Sequence, residues 1–264
     1  MKTPIIVCLL TLSLAAFADP AAYLYTTTGL PATIPDNNAN GYQNSFTASG
    51  IPGPIMDMTI TLNITGGFNG DLYVALDYNN TTAVLLNRVG LSAVNSVGYP
   101  DSGFNITLDD SATSDVHFYQ TVSYTLNGSG QLTGSWQPDG RLISPLSSGA
   151  AIAGATRGNT LGVFDGMDPN GTWTLFAADL SPGGISTLAG YSLAIIAVPE
   201  PNSLALIGCV GACGWLWWRL VQRRKGATTG TPATDKIRPP PVRRNVTRWS
   251  VHPGGGGGVA CTGV

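Results

Sequence analysis

The chain has 264 residues, of which 43% are hydrophobic and only 11% charged, with 34 glycines and a formal net charge of −2. That length holds one all-β domain of ordinary size plus sorting elements, and it leaves no room for a large protease domain as well. The charge is unevenly distributed: residues 19–198 carry thirteen aspartates against Arg88, Arg141 and Arg157, a formal −10 that repels nucleic-acid phosphates and suits cations.

Residues 1–18 read as a secretory signal peptide: Lys2, an apolar stretch from Pro4 to Leu14, and Ala16 and Ala18 bracketing Phe17. Cleavage is expected after Ala18. Cys8 does not make a lipoprotein site, because Val7 precedes it and no small-residue pair leads into it. The other cysteines, Cys209, Cys213 and Cys261, lie beyond residue 198, so the exported module has no disulfide framework and must rely on its core.

The module, residues 19–198, reads as strands separated by Gly, Asn, Asp and Pro. Met56 to Thr65 alternates strictly, with Met56, Met58, Ile60, Leu62 and Ile64 on one side. Further strands are predicted over 23–28, 43–48, 71–77, 82–87, 104–108, 121–126, 172–178 and 188–198, with turn signals such as Gly66-Gly67, Asn79-Asn80, Pro138-Asp139-Gly140 and Pro182-Gly183-Gly184 between them. No stretch of the module has helical periodicity. The expected fold is an all-β, antiparallel jelly roll or β-sandwich, galactose-binding-like, of roughly eight to nine strands. Trp136 and Trp173 are expected as core plates rather than a ligand-stacking platform.

Several short motifs follow one another in a recognisable order. They are Gly70-Asp71-Leu72, Leu85-Leu86-Asn87-Arg88, Gly103-Phe104, Asp109-Asp110-Ser111-Ala112, Gly134-Ser135-Trp136-Gln137-Pro138, Asn170-Gly171-Thr172-Trp173-Thr174-Leu175 with Asp179, and Leu188-Ala189-Gly190-Tyr191-Ser192-Leu193. In this order they resemble the P domain, the β jelly roll that follows the catalytic domain of proprotein convertases and many bacterial subtilases. The resemblance covers about Tyr25 to Val198, and Tyr191 stands where that family more often carries Trp. It implies a non-catalytic module, since catalysis in those enzymes belongs to a separate domain.

The residues agree with that expectation. His117 is the module's one histidine, and no serine lies in a Gly-x-Ser-x-Gly context beside which it would serve as base. Calcium is the metal the acids would suit, since Asp71, Asp109, Asp110, Asp165, Asp168 and Asp179 fall at predicted loop ends, solvated turn acids being the alternative. Zinc lacks cysteine and histidine ligands. Sequons at Asn63, Asn80, Asn105 and Asn170 are expected to stay bare in a bacterial export pathway.

Residues 198–225 carry a different signal. Val198, Pro199, Glu200 and Pro201 precede an apolar run from Ser203 to Trp218, followed by Arg219, Arg223, Arg224 and Lys225. The run is a short membrane span, extended to residues 203–221 if Arg219 snorkels, and its basic end places the module outside. This arrangement resembles the PEP-CTERM sorting signal, whose family is handed to a membrane cysteine protease called exosortase. Residues 226–264, proline-, glycine- and arginine-rich, read as a disordered tail where that family usually ends.

Taken together, these features lead to the expectation of an exported module in the bacterial cell envelope or extracellular matrix, with an exosortase-type membrane protease as processing partner. A separately encoded subtilisin-like protease, assisted in trans, and a matrix polysaccharide are the other partners the sequence allows.

Overall fold

In the computed structural model, residues 19–198 and 214–222 are described. The chain divides into two compact units between Val210 and Gly211.

Ten strands form the first unit: β1 (Ala21–Thr26), β2 (Ala32–Ile34), β3 (Tyr42–Ala48), β4 (Ile55–Thr65), β5 (Leu72–Tyr78), β6 (Thr81–Asn87), β7 (Gly103–Asp109), β8 (Leu132–Trp136), β9 (Gly171–Asp179) and β10 (Ser186–Ala197). They make two sheets, one in the order β1-β10-β4-β7-β8 with β2 also on β10, the other β3-β9-β5-β6. The all-β sandwich is therefore as expected. It is not wholly antiparallel, because β8 lies parallel to β7.

The two sheets bury one core. Met58, Ile60, Leu62 and Ile64 of β4 face Leu72, Val74 and Leu76 of β5 and Trp173 and Leu175 of β9 within it. A period of two on each strand puts every second side chain inside, which is why the alternation of β4 shows so clearly in the sequence. Trp173 is fully buried, stacked on the Tyr78 ring at 4.0 Å and 7°, and its Nε1 donates to the Pro169 carbonyl at 3.0 Å. Trp136 is buried too, donating to the Thr133 carbonyl at 2.9 Å. Both are core plates.

Three expectations need correction. Met56 is exposed, because the β4–β10 register shifts between Ile196 and Ala197, and this bulge turns it away from the face that Met58 begins. Residues 121–126 form no strand: they are exposed along their length and make one bridge, Leu126 to Leu132. The place beside β7 belongs to β8, which closes that side of the sheet with buried Leu132 and Trp136. A single turn of helix, α1 (Gly149–Gly154), also appears where no helix was expected, capped by the Ser148 hydroxyl accepting from the Ala151 amide.

In the second unit, helix α2 runs over residues 214–222 and exposes Trp215, Leu216, Trp217, Trp218 and Leu220, with the Arg219 guanidinium 4.4 Å from the Trp215 ring centre. No helix among the described residues is long and apolar enough to cross a membrane. The signal peptide, Pro199, Glu200, Pro201, most of the 203–221 span, Arg223, Arg224, Lys225 and the 226–264 tail lie outside the described residues.

Trp173→Ala is expected to cost about 3–5 kcal/mol, because it empties a fully buried indole site and unstacks Tyr78. Urea unfolding followed by far-UV dichroism measures this, and a loss under about 1 kcal/mol would mean that the core does not close on this residue.

Candidate functional site

Two polar constellations stand out, one sealed inside the fold and one open to solvent. The sealed one is centred on His117, in a 3-10 turn (Val116–Thr121) whose first amide groups are capped by Asp115. His117 is fully buried. Its Nδ1 lies 2.7 Å from Asp139 Oδ2 and its Nε2 3.0 Å from the Leu91 carbonyl. Both ring nitrogens thus face acceptors, and neither is left to take a proton from a substrate.

Asp139 is equally committed. Its other oxygen accepts from the Arg141 amide and Nη1, and its amide donates to the Leu85 carbonyl of β6. Arg141, 4% exposed, reaches on to Asp115 at 2.8 Å and lies over the Phe118 ring. Burial pulls the Arg141 guanidinium down, but the hydrogen bond to Asp115 and the field of Asp139 more than offset it, and the group stays charged. Arg157 closes the set, donating to the Asp139 and Pro138 carbonyls and to Gln137, with Asp115 3.3 Å away. This network is a structural clasp.

The open constellation lines a cleft of about 370 Å3 whose walls include Phe68, Asp71, Arg88, Val97, Tyr99 and Ser181. Asp71 arrives on the turn before β5, and Gly70 beside it is required by close approach: a Cβ there would sit 2.5 Å from the Val97 carbonyl oxygen. Arg88 holds a left-handed backbone at φ 49°, its Nε donating to the Gly70 carbonyl and its Nη2 to the Ser181 hydroxyl. Burial raises the Asp71 carboxyl above its ordinary value, against the lowering effects of Ser181 and Arg88. Asp179, close behind and also buried, is raised for the same reason, and it accepts from Ser186. The cleft therefore offers a cation, a carboxyl and a hydroxyl between apolar walls, a set able to hold a polar group that both donates and accepts.

The six aspartates singled out in the sequence do not converge. Asp71 lines the cleft, and Asp179 lies buried behind it without lining it. Asp110 and Asp165 lie near one another elsewhere, and burial raises Asp165, with Asp57 and Asp110 adding to the effect. Asp110 is occupied in fastening a loop, accepting from the Thr160 hydroxyl at 2.6 Å and the Leu161 and Gly162 amides. Asp109 accepts from the Ser111 amide, and Asp168 from the amide and side chain of Asn170, which hold its carboxyl below the usual range. Among the described residues no three His, Cys, Asp or Glu side chains gather where a metal ion could be held. The donor set does not fit calcium, which needs several oxygens on one centre.

Arg141 and Arg157 are the structural cations that motif reading missed, and Arg88, which stands in the motif Leu85-Leu86-Asn87-Arg88, is the cation of the cleft. Their scarcity was the available signal: with three basic residues among thirteen acids, each is expected to be committed to a specific partner.

The class defined by this fold and these sites is an all-β sandwich with an internal charge clasp and a ligand-sized cleft at one end. No protein-family model matches the chain, and no curated protein matches it. Among solved structures it is similar to a serine protease of Aeromonas sobria, at 14% identity and a TM-score of 0.35. The match covers 67% of this chain and 26% of that one, so only about a quarter of that protein's length is spanned.

Asp139→Ala is expected to destabilise the fold by about 3–5 kcal/mol, since it strands His117 and Arg141 as buried groups without their acceptor. Asp36→Ala, at an exposed acid, is expected to stay within about 0.5 kcal/mol in the same urea titration.

The cleft gives a pH signature. A carboxyl whose folded value is raised binds its proton in the folded state while the unfolded chain, at the ordinary 3.8, has released it. Asp71 and Asp179 therefore add stability as pH falls from neutral towards 3.8, and subtract it as pH rises through their folded values. Asp71→Asn is expected to flatten this part of the stability curve relative to wild type, measured as the urea midpoint between pH 7 and about pH 4. Parallel curves for the two proteins would remove Asp71 from the account.

Proposed function

We propose that this chain is an exported, non-catalytic, P-domain-like interaction module of the bacterial cell envelope or extracellular matrix, released from a temporary membrane anchor by an exosortase-type protease. One observation carries the reading. Ala21, at the start of β1, pairs with Ala197, at the end of β10, and Val198 follows directly. Leader cleavage and anchor attachment thus fall at the same end of the sandwich.

β10 then runs twelve residues to the other end, roughly 36 Å at ~3.3 Å per residue. There the loop before β5 and the loop between β9 and β10 supply Phe68, Asp71 and Ser181 to the cleft. A chain tethered at Val198 holds its binding groups at the end away from the tether. The motif order from Gly70 to Leu193 supports the P-domain part of the reading, and the Pro199-Glu200-Pro201, apolar run and basic cluster support the sorting part. The sealed state of His117 supports a module without a catalytic base.

Mass spectrometry of the mature protein's C-terminus in its native host tests the proposal. The surface-exposed form is expected to end near Pro201, with residues 203–225 missing. Recovery of peptides spanning Pro199 to Arg224 from that form would reduce the signal to a plain anchor.

A further inference from the structure

We propose that β1 is a self-association edge, through which a second copy of this chain pairs strand to strand to continue the six-stranded sheet. Unpaired backbone at the end of a sheet is what an added strand takes up. The β6 edge is covered: the Val84 amide donates to Asn159, and the Asp139 and Gly140 amides donate to Leu85 and Val84. The β8 edge is covered by Thr125, whose carbonyl accepts from the Thr133 amide and hydroxyl. On β3, the Asn44 carbonyl accepts from the Tyr191 hydroxyl and the Asn44 side chain donates to Thr28. Among the described residues the outer side of β1 shows no such cover, and the short β2 continues the same uncovered side of β10.

The direction of its backbone groups follows from one bond. The Thr27 amide donates to the Tyr191 carbonyl of β10 at 3.3 Å. Residues of the same parity, Tyr25, Tyr23 and Ala21, therefore also face β10, and Ala22, Leu24 and Thr26 direct their N–H and C=O groups outward. Their side chains are the exposed ones, with Leu24 at 69%.

Those three residues select a register. In an antiparallel pair centred on Leu24, Leu24 faces its own copy while Ala22 and Thr26 face each other, so all three fall at hydrogen-bonded positions. About six inter-chain bonds result, two per facing pair. A shift by one residue would place outward groups opposite none, and a shift by two would keep only two of the three facing pairs, so this alignment makes the most bonds.

Charge selects the copy as occupant. A module at −10 should repel its own kind, yet residues 20–35, 37–56 and 180–198 contain no charged side chain. These segments hold β1, β3 and β10, the flank around the free edge. The strand itself, AAYLYT, has none of the Lys or Pro residues that block edge pairing. Behind it, Tyr25 stacks on Phe46 of β3 at 5.4 Å, so the flank is rigid and aromatic. A neutral flank on an otherwise acidic module is where two copies meet with least repulsion.

Antiparallel pairing puts the two Ala197 ends at opposite ends of the pair. It therefore suits copies released from the membrane or carried on facing surfaces. The pairing itself does not depend on the anchor reading, and this last point does.

The test uses the full chain, extracted in detergent so that no bilayer constrains it. Sedimentation velocity at tens of micromolar is expected to show a dimer of the module, and Leu24→Pro, which removes one outward N–H and no internal bond, to weaken dimerisation roughly tenfold or more without changing the melting temperature. With the four native cysteines replaced by Ser, Leu24→Cys is expected to crosslink to its copy on mild oxidation, since facing Cα atoms at ~5.5 Å suit a disulfide. Thr61→Cys, on the same outer face but two strands inward, is expected not to. A monomeric wild type, a dimer indifferent to Leu24→Pro, a crosslink at Thr61→Cys rather than Leu24→Cys, or a Leu24→Cys crosslink to a different protein would each overturn the proposal. Failure of anchor processing in the mass spectra leaves this result untouched, so the two readings fail separately.

Discussion

The contact on which most of the molecule depends is the Asp139 carboxylate, held between His117 and Arg141. Between the end of β7 at Asp109 and the start of β9 at Gly171 the chain makes a long excursion whose one strand is β8. An excursion of that length has too little regular backbone pairing to hold itself against the loss of chain entropy. Asp139 joins three segments, two of the excursion and one outside it: the 3-10 turn through His117, its own turn through Arg141, and the β6 edge, whose Leu85 carbonyl accepts from the Asp139 amide. Arg157 brings in a fourth part by bonding the Asp139 and Pro138 carbonyls. Because the pair is sealed from water, each charge needs its full set of partners, and removing one leaves the others exposed to a low dielectric.

That clasp also explains how thirteen aspartates coexist with a stable sandwich. Two of the three arginines are spent inside it and the third sits on the floor of the cleft, so none is free to neutralise the exterior. The acids then sit on turns where backbone or short side-chain donors already face them, as at half-buried Asp110 with Thr160, Leu161 and Gly162 and at exposed Asp168 with Asn170. Their role is to shape loops. A metal would have to compete with those donors, which is the physical reason that acids prominent in the sequence do not form one ion site.

Legibility in the sequence followed how local each constraint was. β4 could be read because its alternation is a property of ten consecutive residues, and Trp173 because it alternates with Leu175 in one strand. Met56 broke the pattern through a bulge set by the partner strand, which no single-strand pattern contains. The exchange of residues 121–126 for β8 has a similar origin: both segments have strand-like composition, and the buried Leu132 and Trp136 decide which one the sheet accepts. The cleft was half legible. Gly70-Asp71 and Leu85-Leu86-Asn87-Arg88 were noticed as motifs, but their meeting depends on Ser181 from a loop more than ninety residues further on. His117 and Asp139 are 22 residues apart with nothing periodic to connect them, so the clasp could be seen only in three dimensions.

Charge and topology finally constrain each other. Strands β1 and β10, the first and last of the sandwich, pair with each other at one side of their sheet, with Ala21 opposite Ala197. β6 and β8 are covered by the long excursion that the Asp139 clasp fastens, and among the described residues no comparable segment lies beside β1. The neutral composition around it then has a physical consequence: with charge absent, nothing opposes the pairing of its outward groups with an equivalent strand. The same arrangement that brings Ala21 and Ala197 together therefore leaves, among the described residues, an open edge at β1, at right angles to the axis along which the cleft is presented.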